Sequence, residues 1–197
     1  MDKTLIVYSS NRDISHEFMF CLFSCIELGA GLVSQTGCAD VALARNLALS
    51  KARKVKDRDI VLMVDDDIVW TPQDAQELIN HVRNTGRSAS GCYVGVDGKL
   101  TATKQANGYW ATGLGFLAFN LAKLYGPGDI FTSSAGEWFP YCKSGGVDGE
   151  FLGEDYYFTR GWLGDVDLLP VGVGHVKTRI LMPAPRERLE EYIGSVK

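Results

Sequence analysis

The sequence lacks the features that would place it among membrane, secreted or strongly basic proteins. No apolar stretch is long enough to span a bilayer, and the start, MDKTLIVYSS, lacks the basic and then apolar layout of a signal peptide. The 20 Lys and Arg against 24 Asp and Glu give a formal net charge of −4. The chain therefore has no global basic field of the kind that marks many nucleic-acid-binding proteins, although a local basic patch is compatible with this balance. We expect a cytoplasmic protein without a membrane span.

Cysteine and histidine are also scarce. The 5 cysteines are odd in number and include no CxxC pair, which favours a reduced setting over a disulfide framework. Cys21 and Cys25 are i,i+4 neighbours on a predicted helix, and this spacing indicates core packing rather than metal binding. Of the 3 histidines, His16 and His81 lie on predicted helices and are interpreted as surface or structurally satisfied residues.

Short apolar runs alternate with amphipathic segments along the 197 residues. Strands are predicted at 3–10, 32–36, 59–64, 88–96, 99–105 and 111–120, with an extended segment at 165–176. Helices are predicted at 15–28, 39–55, 71–84, 153–163 and 185–196. The turn VDGK is expected to join the strands at 88–96 and 99–105. Residues 126–149, rich in Gly, Pro and Ser, are predicted to form a long loop, which in a compact domain is often functional. This order predicts a single α/β domain with a mainly parallel sheet in its first half and a mixed second half.

The stretch VLMVDDDIVW places three carboxylates directly after a buried strand. Ligands of parallel α/β sheets bind beyond the carboxyl ends of the strands, which is where Asp65, Asp66 and Asp67 are expected. Because side chains alternate along an extended chain, Asp65 and Asp67 are predicted to share one face, about 6–7 Å apart, while Asp66 faces the other way, and the pair can bracket a divalent cation. The alternative is a solvated turn that caps the next helix, and three aspartates after an apolar run fit that alternative less well.

A second acidic cluster and one histidine complete the candidate site. Glu154 and Asp155 lie in GEFLGEDYYFTRGW, where one carboxylate can face a reaction centre while a neighbour such as Arg160 holds the other. Acidic residues also favour a helix N-terminus for purely structural reasons. His175 lies in the apolar stretch GVGHVKT, and an isolated histidine in such a setting is more often structural than a ligand. Together with two acidic clusters it indicates a carboxylate and imidazole site of the kind that suits Mn²⁺.

The order of these features resembles a GT-A-type glycosyltransferase. The resemblance runs from about residue 4 to residue 178 and rests on SSNR, ARN, VDDDIVW, TPQD, GCYVG, ATGLGF, GEDYYF and GHV. The chain is most similar to the small inverting family-2-like enzymes of bacteriophages and bacteria. The resemblance implies a GT-A-like domain over 1–180, with a Rossmann-like sheet in its N-terminal half, followed by a helical tail over 181–197. TRGW only loosely matches the QxxRW element of processive members, which favours a single transfer over polymer synthesis.

The resemblance also implies residue roles. A divalent metal, Mn²⁺ or Mg²⁺, is expected to be held by Asp65, Asp67 and His175. Contacts to the nucleotide-sugar donor are expected from Ser9, Ser10, Asn11, Arg12, Arg45, Asp65, Asp66 and Lys177. The general base of an inverting enzyme maps to the GED element, where we favour Asp155 over Glu154. Trp110 and Trp138 are candidate stacking surfaces for a sugar or base.

The implied activity is transfer of one sugar, with a UDP-sugar as the favoured donor, to an acceptor hydroxyl with inversion. Similarity to bacteriophage enzymes makes a hydroxymethylated pyrimidine in DNA a candidate acceptor, in which case the protein acts in the host cytoplasm. A saccharide, lipid or protein hydroxyl remains open as the acceptor. Two other classes also remain open, a metal-dependent phosphoryl- or nucleotidyl-transfer enzyme and a non-catalytic module that binds a nucleotide-sugar.

Overall fold

The structure is a computed structural model of the chain. It describes residues 1–93, 100–125, 141–142, 145–147, 150–176, 180–181 and 185–196. The strands are β1 Thr4–Ser10, β2 Gly31–Thr36, β3 Ile60–Asp65, β4 Ile68–Val69, β5 Ser88–Cys92, β6 Ala102–Lys104, β7 Trp110–Thr112, β8 Phe116–Asn120, β9 Gly145–Val147, β10 Glu150–Leu152, β11 Val166–Gly172, β12 Gly174–Val176 and β13 Ile180–Leu181. The helices are α1 His16–Glu27, α2 Val41–Ala52, α3 Pro72–Thr85, α4 Glu154–Tyr156 and α5 Arg186–Ser195, with a 3₁₀ turn at Leu121–Tyr125 and a π-helix at Tyr157–Leu163.

The central sheet has six strands in the described part of the chain, in the order β11-β5-β8-β3-β1-β2. β1 pairs in parallel with β2 and β3, and β11 pairs in parallel with β5. β8 lies between β3 and β5 and is antiparallel to both. The prediction of an α/β domain with a mainly parallel sheet and a mixed second half is confirmed.

The sheet is covered by helices on both faces, which explains the nearly continuous apolar sequences of β1 and β3. Along β1, Leu5 and Val7 belong to the core that includes α2, whereas Ile6 and Tyr8 belong to the core that includes α1 and α3. Because successive side chains of a strand point to opposite faces, one strand supplies both cores. The sheet is therefore the middle of three layers.

Local capping fixes where the helices begin. Ser15 accepts a hydrogen bond from the N–H of Phe18, and Asp40 accepts one from the N–H of Leu43 at 2.9 Å. Thr71 forms a reciprocal capping box at the start of α3. The three helices begin close to the positions that the sequence predicted. The cap at Asp40 also sets the start of α2, the helix that carries Arg45.

The predicted core role of Cys21 and Cys25 is confirmed. Both are buried, the N–H of Trp70 donates to Cys21 Sγ at 3.4 Å, and the indole Nε1–H donates to Cys25 Sγ at 3.3 Å. His81, predicted to be structurally satisfied, places its Nε2 at 2.8 Å from Asp167 Oδ2.

Strand pairing in the second half differs from the prediction. Within the described residues, β6 pairs with β7 and β5 pairs with β8 and β11, and the N–H of Thr101 donates to the carbonyl of Tyr93 at 3.3 Å without a ladder between β5 and β6. The turn at 96–99 and most of the predicted loop at 126–149 lie outside the described residues. Local turn chemistry could not reveal that β5 belongs to the central sheet, because its partners are far along the chain.

The predicted C-terminal helix is confirmed as α5. Leu189 of α5 is buried in a third apolar cluster with Cys92, Trp110 and Leu168. The tail thereby packs against the β5–β11 side of the sheet. Within the described residues, the longest helices are too short or too polar to cross a bilayer.

Leu49 lies one turn after Arg45 on α2 and is 0% exposed. We expect Leu49→Ala to lower the free energy of unfolding by about 2–4 kcal/mol, because it removes apolar contacts and leaves a cavity against the sheet. Leu43→Ala is the matched control, since Leu43 is on the same helix and 43% exposed. Urea unfolding measures both variants, and equal losses would contradict the packing described for α2.

Candidate active site

A cleft of about 260 Å³ opens at the carboxyl ends of β1 and β3. This is the edge at which parallel α/β sheets bind ligands. Its lining includes the predicted donor-site residues Ser9, Ser10, Asn11, Arg12, Arg45, Asp65, Asp66 and Asp67. Cys38, Val41 and Ala44 also line it but were not predicted, because small or apolar side chains near a helix start carry no chemical signal in a sequence.

Arg45 joins the two acidic clusters. Its Nη2 lies 2.8 Å and 3.0 Å from the two carboxylate oxygens of Asp65, and its Nη1 contacts the carboxylate of Asp155 and lies 3.5 Å from Glu154 Oε1. Asp65 ends β3 and Asp155 lies in α4, so the side chain of Arg45 connects α2 to both elements. The sequence predicted Arg45 as a donor contact but gave no indication of this bridge.

The guanidinium of Arg45 is 4% exposed, and its Nε–H has no hydrogen-bond partner within the described structure. Burial alone lowers the pKa of Arg45, but the charges of Asp65 and Asp155 outweigh burial and raise the net pKa. A buried cation is tolerated only when opposite charges compensate it. Arg45 therefore stays charged and depends on the carboxylates that it bridges.

The acidic triplet is not extended along one strand, and the prediction that Asp65 and Asp67 share a strand face is wrong. β3 ends at Asp65, and Asp66 and Asp67 form a turn before β4. Asp66 accepts hydrogen bonds from the hydroxyl of Ser10, from Arg12 Nε at 3.2 Å and from Arg12 Nη2 at 2.6 Å. Asp66 thus fixes the loop that follows β1.

Asp67 and His175 come together through strand pairing. β12 pairs with β4 so that His175 lies opposite Ile68, and the N–H of Val176 donates to the carbonyl of Asp67 at 2.6 Å. His175 Nε2 lies 3.2 Å from Asp67 Oδ2, and Arg12 Nη2 lies 2.9 Å from the same oxygen. Asp67 is 7% exposed and His175 is 9% exposed, so the pair is largely shielded from water.

Of the three predicted metal ligands, Asp67 and His175 are placed so that they could bind one divalent cation. No group of three or more His, Cys, Asp or Glu side chains is arranged to hold a metal ion in the portion of the chain described. Asp67 and His175 supply a carboxylate oxygen and an imidazole nitrogen, whereas Asp65 is engaged by Arg45. Mg²⁺ is commonly held by one or two carboxylates together with substrate phosphates, so two protein ligands are compatible with such a site. The metal role of the three residues stays a prediction.

Asp155 occupies an environment that favours its protonated form. Burial, together with the negative charges of Asp65 and Glu154, raises the pKa of Asp155 to about 6, while Arg45 and the N–H of Leu114 oppose this rise. Glu154 lies nearer the rim, with its side chain 35% exposed. The side chain of Asp155 is 27% exposed, and Arg45 is a cation near both carboxylates. The division of roles between Asp155 and Glu154 stays a prediction.

A buried threonine pair holds Asp155 in place. Thr159 Oγ1 lies 3.0 Å from the carbonyl of Asp155 and 3.1 Å from the carbonyl of Thr112, and it accepts from the N–H of Thr112 at 3.0 Å. The π-helix is thereby tied to β7. The sequence does not reveal this role of Thr159, because its contact with Thr112 joins residues 47 positions apart.

The side chain of Tyr93 fits only because positions 113 and 115, in ATGLG, are glycines. A Cβ at Gly113 would lie 1.8 Å from the hydroxyl oxygen of Tyr93 and 3.6 Å from Asp155 Oδ2. The Tyr93 hydroxyl accepts from the N–H of Gly115 at 3.3 Å, and its ring lies edge-on to His175 with centroids 5.8 Å apart. Tyr93 therefore packs between Asp155 and the Asp67–His175 pair. In the sequence, the two glycines of ATGLG were the feature that could have indicated this close packing.

Some predicted residues lie elsewhere. Trp110 is buried against Tyr192 of α5, with ring centroids 6.4 Å apart, so it offers no stacking face to the cleft. Lys177 and Trp138 lie outside the described residues.

Comparison with known proteins shows the fold and no family. No protein-family model and no curated protein matches the chain. Among solved structures, the chain is similar to A197 from STIV, with a TM-score of 0.64 and 15% identity over 92% of this chain and 94% of that one. At this identity the likeness extends to the fold alone.

Two further structures resemble the chain more distantly. One is 4-diphosphocytidyl-2C-methyl-D-erythritol synthase from Anaerococcus prevotii, with a TM-score of 0.49 and 9% identity over 84% of this chain and 87% of that one. The other is a protein from Desulfovibrio desulfuricans assigned as a nucleotide-diphospho-sugar transferase, with a TM-score of 0.48 and 15% identity over 86% and 80%. Both TM-scores are below 0.5, and we draw no conclusion from them.

We expect Arg45→Gln to destabilise the protein by about 3–5 kcal/mol at pH 8, because it leaves buried carboxylates without a cation. Folded Asp155 keeps its proton up to about pH 6, against 3.8 for an ordinary Asp, so its contribution to stability is present below pH 4 and is lost as the pH rises to 6. Without Arg45 the pKa of Asp155 rises further, so the loss should be smaller at pH 5 than at pH 8.

Arg87→Gln is the control, because Arg87 is half exposed and its partner Asp167 also contacts His81. Urea unfolding at both pH values measures the two variants. A penalty for Arg45→Gln that is independent of pH would contradict the coupling of Arg45 to Asp155.

Proposed function

We propose that the protein is a glycosyltransferase that moves one sugar from a nucleotide-sugar to an acceptor hydroxyl with inversion. The observation that carries this proposal is the Arg45 bridge, which joins a base candidate, Asp155, to the aspartate triplet at the mouth of one cleft. An inverting transfer needs both parts, a site for the leaving diphosphate and a base that faces the sugar.

The donor half of the site is assigned to the cleft. The loop 9–12 would line the nucleoside, and the half-exposed guanidinium of Arg12 is available to a phosphate. UDP is the nucleotide that we favour for the donor. Bound at Asp67 and His175, Mn²⁺ or Mg²⁺ would supply positive charge against the negative charge that develops on the leaving diphosphate.

Asp155 is assigned the role of general base. A carboxylate with a pKa of about 6 is ionised at neutral pH and is more basic than an ordinary aspartate. Both properties favour removal of the proton from an acceptor hydroxyl as the new glycosidic bond forms. Arg45 and Leu114 contact its carboxylate and would fix its orientation.

For the acceptor we propose the hydroxyl of a hydroxymethylated pyrimidine in DNA, as the resemblance to bacteriophage enzymes implies. The modified base would have to leave the helix or lie in a single strand to reach a cleft of this kind. Hydroxyls of saccharides, lipids and proteins form the comparison set in an acceptor screen.

The two adjacent carboxylates give a matched test. We expect Asp155→Asn to lower the rate of sugar transfer by about 10²–10⁴-fold and to leave UDP binding, measured by calorimetry with Mn²⁺, within about threefold. Glu154→Gln should retain most of the activity, because the Glu154 side chain is 35% exposed and its carboxylate lies farther from Arg45 than that of Asp155 does, at 3.5 Å.

The opposite ranking would reassign the base to Glu154. Transfer of a nucleotidyl or phosphoryl group by the purified protein, undiminished in Asp155→Asn, would instead identify a phosphoryl-transfer enzyme. Retained nucleotide-sugar binding with no turnover on any acceptor would identify a binding module.

The pH dependence gives a separate test of the base. We expect kcat/KM for sugar transfer to rise with pH and to level off above a midpoint near 6, because Asp155 must be ionised to accept a proton. The measurement is a pH profile from 5 to 8 at saturating Mn²⁺. A profile that is flat through pH 6 would be incompatible with Asp155 as the base.

A further inference from the structure

One carboxylate oxygen of Asp67 contacts both a guanidinium and an imidazole. Asp67 Oδ2 lies 2.9 Å from Arg12 Nη2 and 3.2 Å from His175 Nε2. The same Nη2 of Arg12 lies 2.6 Å from Asp66 Oδ1. Arg12 thus places positive charge between two adjacent carboxylates, at the side of Asp67 that faces the imidazole.

This position is the one that a divalent cation held by Asp67 and His175 would need. The carboxylate oxygen nearest His175 is the oxygen on which Arg12 lies. A guanidinium and a metal ion on one oxygen would place two positive charges in contact in a weakly hydrated site, where like charges repel strongly. The two cations therefore exclude one another.

Arg12 is able to leave, whereas Arg45 is not. The side chain of Arg12 is 49% exposed and lies between β1 and α1, outside any helix or strand, while that of Arg45 is 5% exposed within α2. Asp66 would keep its hydrogen bond from the hydroxyl of Ser10 after Arg12 moved. Departure of Arg12 consequently breaks its ion pairs with Asp66 and Asp67, whose side chains are each 10% exposed, and leaves the loop attached.

We propose that Arg12 is an exchangeable internal cation that occupies the Asp66–Asp67 carboxylates in the free protein and yields them to a divalent metal ion when a nucleoside diphosphate binds. The proposal rests on the donor site assigned under the proposed function. In the exchange, Arg12 moves from the carboxylates to the phosphates in the same cleft, both of which are anionic partners that a guanidinium can bind through two N–H groups.

The exchange couples the two ligands. A metal ion alone must displace Arg12 without offering it another anion, so the metal should bind weakly. A diphosphate provides that anion, so metal and nucleotide should bind with positive cooperativity. The same device would keep the cleft from holding a divalent cation in the absence of a donor.

The experiment measures Mn²⁺ affinity by electron paramagnetic resonance of free Mn²⁺, with and without UDP. Without UDP, we expect Arg12→Gln to bind Mn²⁺ about fivefold more tightly than the natural protein, because the substitution removes the cation that competes for Asp66 and Asp67. UDP should strengthen Mn²⁺ binding to the natural protein by more than it does for Arg12→Gln. Arg12→Lys, which keeps the charge, should lie between the two.

Arg186→Gln is the matched control. Arg186 is also about half exposed and also forms a paired contact to one carboxylate, with both nitrogens 3.1 Å from Glu77, but it lies outside the cleft lining. Arg186→Gln changes the net charge by the same amount as Arg12→Gln and should leave the Mn²⁺ affinity unchanged. Adding Asp67→Asn to Arg12→Gln should abolish the gain in Mn²⁺ affinity. This result would identify the carboxylate of Asp67 as the Mn²⁺ ligand that the removal of Arg12 exposes.

Unchanged or weaker Mn²⁺ binding in Arg12→Gln, an equal gain in Arg186→Gln, or no Mn²⁺ binding to any variant would each overturn the exchange. The readout requires no turnover. The expected Mn²⁺ affinities combined with no sugar transfer on any donor or acceptor would therefore reject the proposed function and keep the exchange.

Discussion

The buried guanidinium of Arg45 is the interaction on which the site depends. It lies 20 positions from Asp65 and 110 positions from Asp155 along the chain, yet contacts both. Removing it would leave carboxylates from β3 and α4 facing each other in a poorly hydrated space. The N-terminal sheet and the C-terminal part of the domain are therefore joined at the cleft by charge as well as by apolar packing. Any shift of α2 along the sheet would break that junction.

The aspartates of the triplet differ in their partners, with Arg12 shared by Asp66 and Asp67, and the partners differ in exposure. Asp65 is bound by a fixed, buried arginine, and Asp66 by a half-exposed arginine and a serine. Asp67 is next to a histidine that β12 holds in place. The chain itself thus balances the negative charge that its sequence concentrates at the sheet edge. A ligand that enters the cleft has to replace one of these partners, and exposure makes Arg12 the one that is easiest to replace.

The predictions drawn from the sequence rest on local rules, and they failed where long-range pairing decides the structure. The order of strands and helices and the burial of Cys21 and Cys25 follow from neighbours in sequence, and both were predicted. The triplet was placed correctly at the sheet edge, but its conformation was not, because the turn at 66–67 exists to align β4 with β12. The partners of Arg45 could not be derived, since no local pattern reports a contact across 110 positions.

The environment of Asp155 balances two opposing requirements of a base. Burial and neighbouring negative charges raise its pKa, which increases its affinity for a proton, while Arg45 limits the rise so that the group is ionised at neutral pH. A fully exposed aspartate would be a weaker base, and an equally buried one without a cation would already hold a proton. Since Arg45 also binds Asp65, whatever occupies the donor side of the cleft acts on this balance. In the proposed transfer, donor binding and proton removal would therefore be linked through the side chain of Arg45.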